Sequence, residues 1–68
     1  PIDSAEWVAR AERLDHELQS PQSRLALVRW LAASHRFDEA EAALGTITSK
    51  KEALEGAEAL KSARQAHN

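Results

Sequence analysis

Three histidines, six serines and a few closely spaced acid pairs are the side chains of this 68-residue chain with types suited to chemistry. His16, His35 and His67 never fall three or four residues apart, the spacing that sets two metal ligands on one helical face. The pairs Asp38/Glu41 and Glu52/Glu55 have the spacing of general acid–base partners. Each sits where the sequence marks the first turn of a helix, and carboxylates there act as caps and dipole partners. Ser4, Ser20, Ser23, Ser34, Ser49 and Ser62 lack the Gly-x-Ser-x-Gly elbow that presents a nucleophile. No glycine-rich phosphate loop and no cysteine occur. The expectation is therefore no enzyme, no catalytic residue, no metal and no cofactor.

The elements that position these residues are all helical by pattern. Four helices are expected, at about 4–19, 21–34, 38–44 and 50–66, folded as antiparallel hairpins in a single small domain over 1–68 or in a fragment of a longer helical-repeat protein. Asp3 with Glu6 writes a capping box for the first helix, and Ile2 with Trp7 a hydrophobic staple. Trp7, Ala11, Leu14 and Leu18 then form its stripe, widened by Val8, with Arg10, Glu12, Arg13, Asp15 and Glu17 mostly opposite. Ser20-Pro21 stops one helix and starts the next, with Ser20 as cap. In the second helix Leu25, Val28, Leu31 and Ala32 share the main stripe, and Leu27 and Trp30 extend its edges toward a second neighbour. Ser34-His35-Arg36 forms the turn, although it holds neither Gly nor Pro. Asp38 with Glu41 reads as a second capping box, preceded by Phe37. Gly45 ends the third helix and the β-branched Thr46-Ile47-Thr48 keeps it from resuming. Ser49 with Glu52 is the third capping box. Leu54, Ala57 and Leu60 are the expected stripe of the last helix. Gly56 inside it marks either a marginal exposed helix or a close backbone contact with the preceding one.

Composition bounds the core and the partner. A chain of this length buries roughly 60% of its unfolded surface. Fourteen of its apolar residues are alanines, which favour helix but bury little area each. The consequence is thin, tight helix pairs or help from a second chain. Net charge is −2 and acids and bases are interspersed. That argues against nucleic acid or an anionic membrane as partner. Residues 21–44 have a helix–turn–helix outline. Its would-be reading helix, DEAEAAL, carries three acids that would repel phosphates. No run of 18 apolar residues exists, so no span is expected, and with no visible signal peptide the expected location is cytoplasmic.

Residues 25–44 resemble a tetratricopeptide repeat. Leu27 and Leu31 in the first helix, then Phe37-Asp38-Glu39-Ala40 and Leu44, carry the resemblance. The aromatic fills the angle between paired helices and the alanine lets them cross closely. Val28 stands where that family usually has a small residue, Arg24 where a large aromatic is common, and no proline closes the repeat. The stretch LAASHRFDEAEAALGTI also resembles, more weakly, the helical tail of some chaperone-type thioredoxins. The resemblance implies a scaffold that binds a peptide or protein. Carried over residue by residue, Gln22, Leu25, Arg29 and Ala33 match groove-facing positions, where Arg29 would hold a carboxylate or a carbonyl. Leu25 replaces the lysine that a carboxylate clamp would need. One repeat buries too little alone, so residues 1–19 and 50–66 are expected to flank it.

Trp7 and Trp30 read first as core or edge residues. The alternative makes Trp30 an exposed anchor beside Arg29, a pairing frequent at interface hot spots. The expected partner-binding set is then Gln22, Leu25, Arg29, Trp30 and Ala33. The expected function is protein–protein interaction, with homo-oligomerisation through Trp30, Leu27 and the alanine faces as the alternative.

Overall fold

The computed structural model describes residues 4–67, which form four helices and no strand: α1 (Ser4–Leu18), α2 (Pro21–Ala33), α3 (Phe37–Leu44) and α4 (Lys50–His67). The fold class is all-α, as expected, with boundaries within a residue of those read from the sequence. α2 is central. α1 packs on α2, α3 packs back on α2, and α4 packs on both α2 and α3. The Cα extent in the thinnest direction is 16 Å, about two helix layers at the usual axis spacing.

The breaks have local causes. Ser20 has extended backbone, as a residue before proline must, and its side chain accepts from the Ser23 amide at 3.1 Å. Ser23 answers by accepting from the Ser20 amide at 3.2 Å, so the box is closed by a serine rather than a glutamate. α2 ends without glycine because His35 takes the left-handed conformation (φ 61°). The Arg36 amide then donates to Leu31 O at 2.9 Å and the His35 amide to Ala32 O at 3.1 Å, the paired bonds of a Schellman ending. Gln19 does the same for α1 (φ 48°), its amide donating to Asp15 O at 2.7 Å. A glycine suits that backbone better than any L side chain. Gln19 is exposed, so Gln19→Gly is expected to add about 0.5–1 kcal/mol of stability. A lower melting temperature would contradict this.

Three capping expectations resolve differently. Asp3 and Ile2 lie outside the described residues. α3 begins one residue early, at Phe37, and its N-cap is Arg36 with no side-chain cap bond. Asp38 and Glu41 therefore form no capping box. Arg36 instead grips Glu39 through Nε (2.9 Å) and Nη2 (2.6 Å), and Glu41 reaches across to Arg64 of α4. At α4 the Ser49 hydroxyl donates to the Glu52 carboxylate, a contact between side chains that does not itself make the expected capping box.

One cluster makes the core: Val8, Ala11, Leu27, Val28, Leu31, Ala32, Ala40 and Leu60. The α2 stripe of Leu25, Val28, Leu31 and Ala32 is buried throughout, and Leu27 is buried beside it. Leu27 is thus core and offers nothing to a second copy. Two stripes are rotated from expectation. On α1 the buried face is Val8, Ala11 and Asp15, while Leu14 and Leu18 are 48% and 58% exposed. Asp15 turns inward because α2 brings it donors: Ser23 Oγ at 3.0 Å and Arg24 Nε at 2.5 Å. A carboxylate paired in this way can be buried.

On α4 the packed face is Glu52, Gly56 and Leu60, with Leu54 60% exposed and Ala57 also outside. Gly56 sets that rotation through close contact. A Cβ built there would lie 2.8 Å from Leu44 Cδ1, 3.4 Å from Leu25 Cδ1 and 3.6 Å from Val28 Cγ1. The contact is with side chains of both α2 and α3. Gly56→Ala displaces only the end of Leu44 and gains helix propensity, so it is expected to be neutral within about 1 kcal/mol. Gly56→Leu forces α4 off α2 and is expected to cost about 1–3 kcal/mol. Equal effects in urea unfolding would show that this approach is not tight.

Candidate functional site: the tryptophan seam of α1 and α2

Helical spacing divides α2 into two faces. The Leu25–Val28–Ala32 side is covered by its neighbours. The other side carries Gln22, Arg29 and Ala33, all exposed, with Ala26 and Trp30 half-buried. Four of the five expected partner-binding residues thus share the outward side. Leu25 does not. It is buried, close to Gly56 of α4, because the missing Cβ lets α4 cover it. Gln22 also touches α4, its Nε2 donating to Glu52 Oε1 at 3.4 Å. The groove expected along Gln22–Arg29 is therefore filled at its floor by α4.

Trp30 leans the other way, onto α1. Its ring stacks on Trp7 with centroids 5.1 Å apart and planes within 3°. Both rings are half-buried. The Arg10 guanidinium lies over Trp7, 5.2 Å from the ring centroid, within reach of a cation–π attraction. Trp7, Arg10, Ala11 and Leu14 of α1 with Ser23, Ala26 and Trp30 of α2 line a small seam of about 140 Å³. Leu18 continues the Trp7–Ala11–Leu14 row by one further turn. In the sequence that row reads as core. The signal against this was the equally spaced Val8–Ala11–Asp15 row, with Arg24 available to Asp15.

The charges around the seam are uneven. Arg24 pairs with Asp15, Arg36 with Glu39 and Arg64 with Glu41. Arg10 meets Glu6 only at 3.9 Å, with both side chains more than half exposed. Arg29 and Arg13 have no ion pair among the described residues. A larger groove, of about 520 Å³, runs between α3 and α4, over Leu44, Ala57 and Leu60. Its charged lining is Glu41, Lys61 and Arg64; Arg64 is taken up by Glu41 and lies over the Phe37 ring at 5.6 Å. The two stacked tryptophans line the α1–α2 seam instead, and on that ground the seam is the candidate recognition surface.

The titratable residues do not gather elsewhere. Among the described residues no three His, Cys, Asp or Glu side chains cluster as a metal site would require. His16 is exposed, and His35 is exposed with its ring 5.8 Å from that of Phe37. No helix among the described residues is long and apolar enough to cross a membrane. Hydrogen bonding by Ser49 holds the nearly buried Glu52 carboxyl below its ordinary value of 4.5. The native state then binds fewer protons than the unfolded chain near that value, so this stabilisation is present above about pH 4.5 and lost as pH falls further. Wild type should exceed Glu52→Gln in melting temperature at neutral pH, and the gap should close on acidification to pH values well below 4.5. A gap independent of pH would contradict the assignment. Comparison of the chain with protein-family models, with curated proteins and with solved structures found no match in any of the three.

Proposed function

We propose that this chain is a protein–protein interaction module, a tetratricopeptide-like helical hairpin with flanking helices, that binds a protein or peptide through the outward side of α2. The observation that carries the reading is the Trp7–Trp30 stack, half-buried at the surface, with the Arg10 guanidinium over Trp7 and exposed Leu14 beside it in the seam. Half-buried aromatics beside an arginine are the residues that dominate binding energy when a partner desolvates them. Packing of α4 on both members of the α2–α3 hairpin agrees with a repeat-like stack. The reading contains no catalytic step, cofactor, nucleic acid or membrane. Homo-oligomerisation is the second reading, favoured by the two exposed leucines of α1.

Peptide-array binding by wild type, Arg29→Ala and Ala33→Glu tests the reading, with helix content followed in parallel. Binding that falls in both variants at unchanged helix content is the expected result. Binding unaffected by either substitution contradicts it.

A further inference from the structure

We propose that α1 is a two-state element that opens and closes the seam by rolling about its own axis on α2, and that the Asp15–Arg24 pair is the catch holding it open. The regulatory sense rests on the reading of the seam as the recognition surface. α1 carries two rows that can pack on α2, Val8–Ala11–Asp15 and Trp7–Ala11–Leu14–Leu18, and Ala11 belongs to both. At about 100° per residue their centres lie about 60° apart around the helix. The row that is packed is the less apolar one. Val8 and Ala11 are buried with Asp15, while Leu14 and Leu18 stay about half exposed. Apolar burial alone favours the other row. The choice is reversed by donors on α2: Ser23 Oγ donates to Asp15 at 3.0 Å and Arg24 Nε at 2.5 Å. Taking such charges out of water offsets much of their attraction, so the two faces lie close in free energy.

The surroundings leave room for the roll. Of the described helices only α2 has α1 packed along it, so α3 and α4 keep their places. The junction between α1 and α2 is not helical: Gln19 is left-handed (φ 48°) and Ser20 extended (φ −110°, ψ 156°). A few such residues at the end of an element can absorb its rotation. The seam supplies the space. Its volume of about 140 Å³ has Leu14 on one side and Ala26 and Trp30 on the other. Rolling carries Leu14 into that space, where the protein's own leucine takes the place of a partner's side chain. Arg24 links the catch to the rest of the fold, because its Nη1 donates to Thr46 Oγ1 in the α3–α4 connection. Whatever draws that guanidinium away from Asp15 releases α1 and closes the seam.

The chain has no cysteine, so one introduced thiol reports one position. Leu14→Cys and Val8→Cys are made separately in the whole chain, and each is combined with Asp15→Lys, which sets a cation against Arg24. Labelling by a thiol reagent is timed, with helix content followed by circular dichroism. The expected result is an exchange of faces at unchanged helix content. Asp15→Lys should slow labelling at position 14 by at least about tenfold and speed it at position 8 by at least about tenfold. Arg24→Glu alone should do the same. Asp15→Lys with Arg24→Glu should restore the parent rates, because the two charges attract again. Faster labelling at both positions with loss of helix would mean that α1 has come away from α2, which overturns the proposal. Rates unchanged at both positions overturn it as well, since α1 then keeps its face without the catch. Failure of the charge swap to restore the parent rates removes the pair from that role. No partner enters the measurement, so its failure leaves the binding-module reading to the peptide array.

Discussion

Leu31→Ala is expected to cost about 2–5 kcal/mol and to leave a large part of the protein unfolded at 25 °C. Leu31 is 3% exposed and belongs to the cluster that joins Val8 of α1, Ala40 of α3 and Leu60 of α4 through α2. Ala11, Ala32 and Ala40 of that cluster are too short to reach into the gap. A cavity left there removes both the transfer energy and the dispersion contacts of the lost atoms. A chain that buries only about 60% of its unfolded surface has little stability to lose. Leu54→Ala is the control. Leu54 is 60% exposed, and its truncation should stay within about 0.5 kcal/mol. Urea unfolding followed by circular dichroism separates the two, and similar midpoints would mean that α2 is not the centre of the fold.

Trp30→Ala is expected to weaken partner binding by at least about thirtyfold, or 2 kcal/mol, as loss of a central aromatic anchor does. Its cost to folding should be smaller than that of Leu31→Ala. The ring is half-buried: it packs on the edge of the core cluster and stacks on Trp7 at 5.1 Å, the stack being worth about 0.5–1.5 kcal/mol beyond area burial. Binding and thermal melting measured on the same variant decide the matter. A drop in stability as large as that of Leu31→Ala, with binding reduced only in proportion to the unfolded fraction, would show that Trp30 serves the core alone.

The helices and their boundaries were legible because start and stop residues act locally. Ser20-Pro21, Gly45 and Ser49 fix their breaks through interactions within a few residues. The turn at His35 was legible only from Phe37 and Asp38 beyond it, since its left-handed backbone carries no glycine to announce it. The α2 stripe was legible because α2 is covered on most sides, so nearly any apolar residue on it is buried. The faces of α1 and α4 were not. Each helix offers two rows at helical spacing, and the choice between them depends on long-range partners: Arg24 and Ser23 for Asp15, and Leu44, Leu25 and Val28 for Gly56. Large side chains are the obvious guide, yet here Leu14, Leu18 and Leu54 remain outside while an aspartate and a glycine turn in. Among the residues expected to bind a partner, Gln22, Arg29, Trp30 and Ala33 share the outward side of α2 as their spacing implies. Leu25 differs because α4 can approach it, which depends on a residue 31 positions away.

Whether the tryptophan seam stands open to another protein is decided by sedimentation equilibrium, with helix content followed over roughly a hundredfold dilution. A monomer whose helix content is unchanged on dilution is the predicted result. It would mean that four helices suffice for folding and that the seam is free for a partner. An oligomer that loses helix as it is diluted would contradict this, since folding and self-assembly would then be one event and the seam would be held by a second copy.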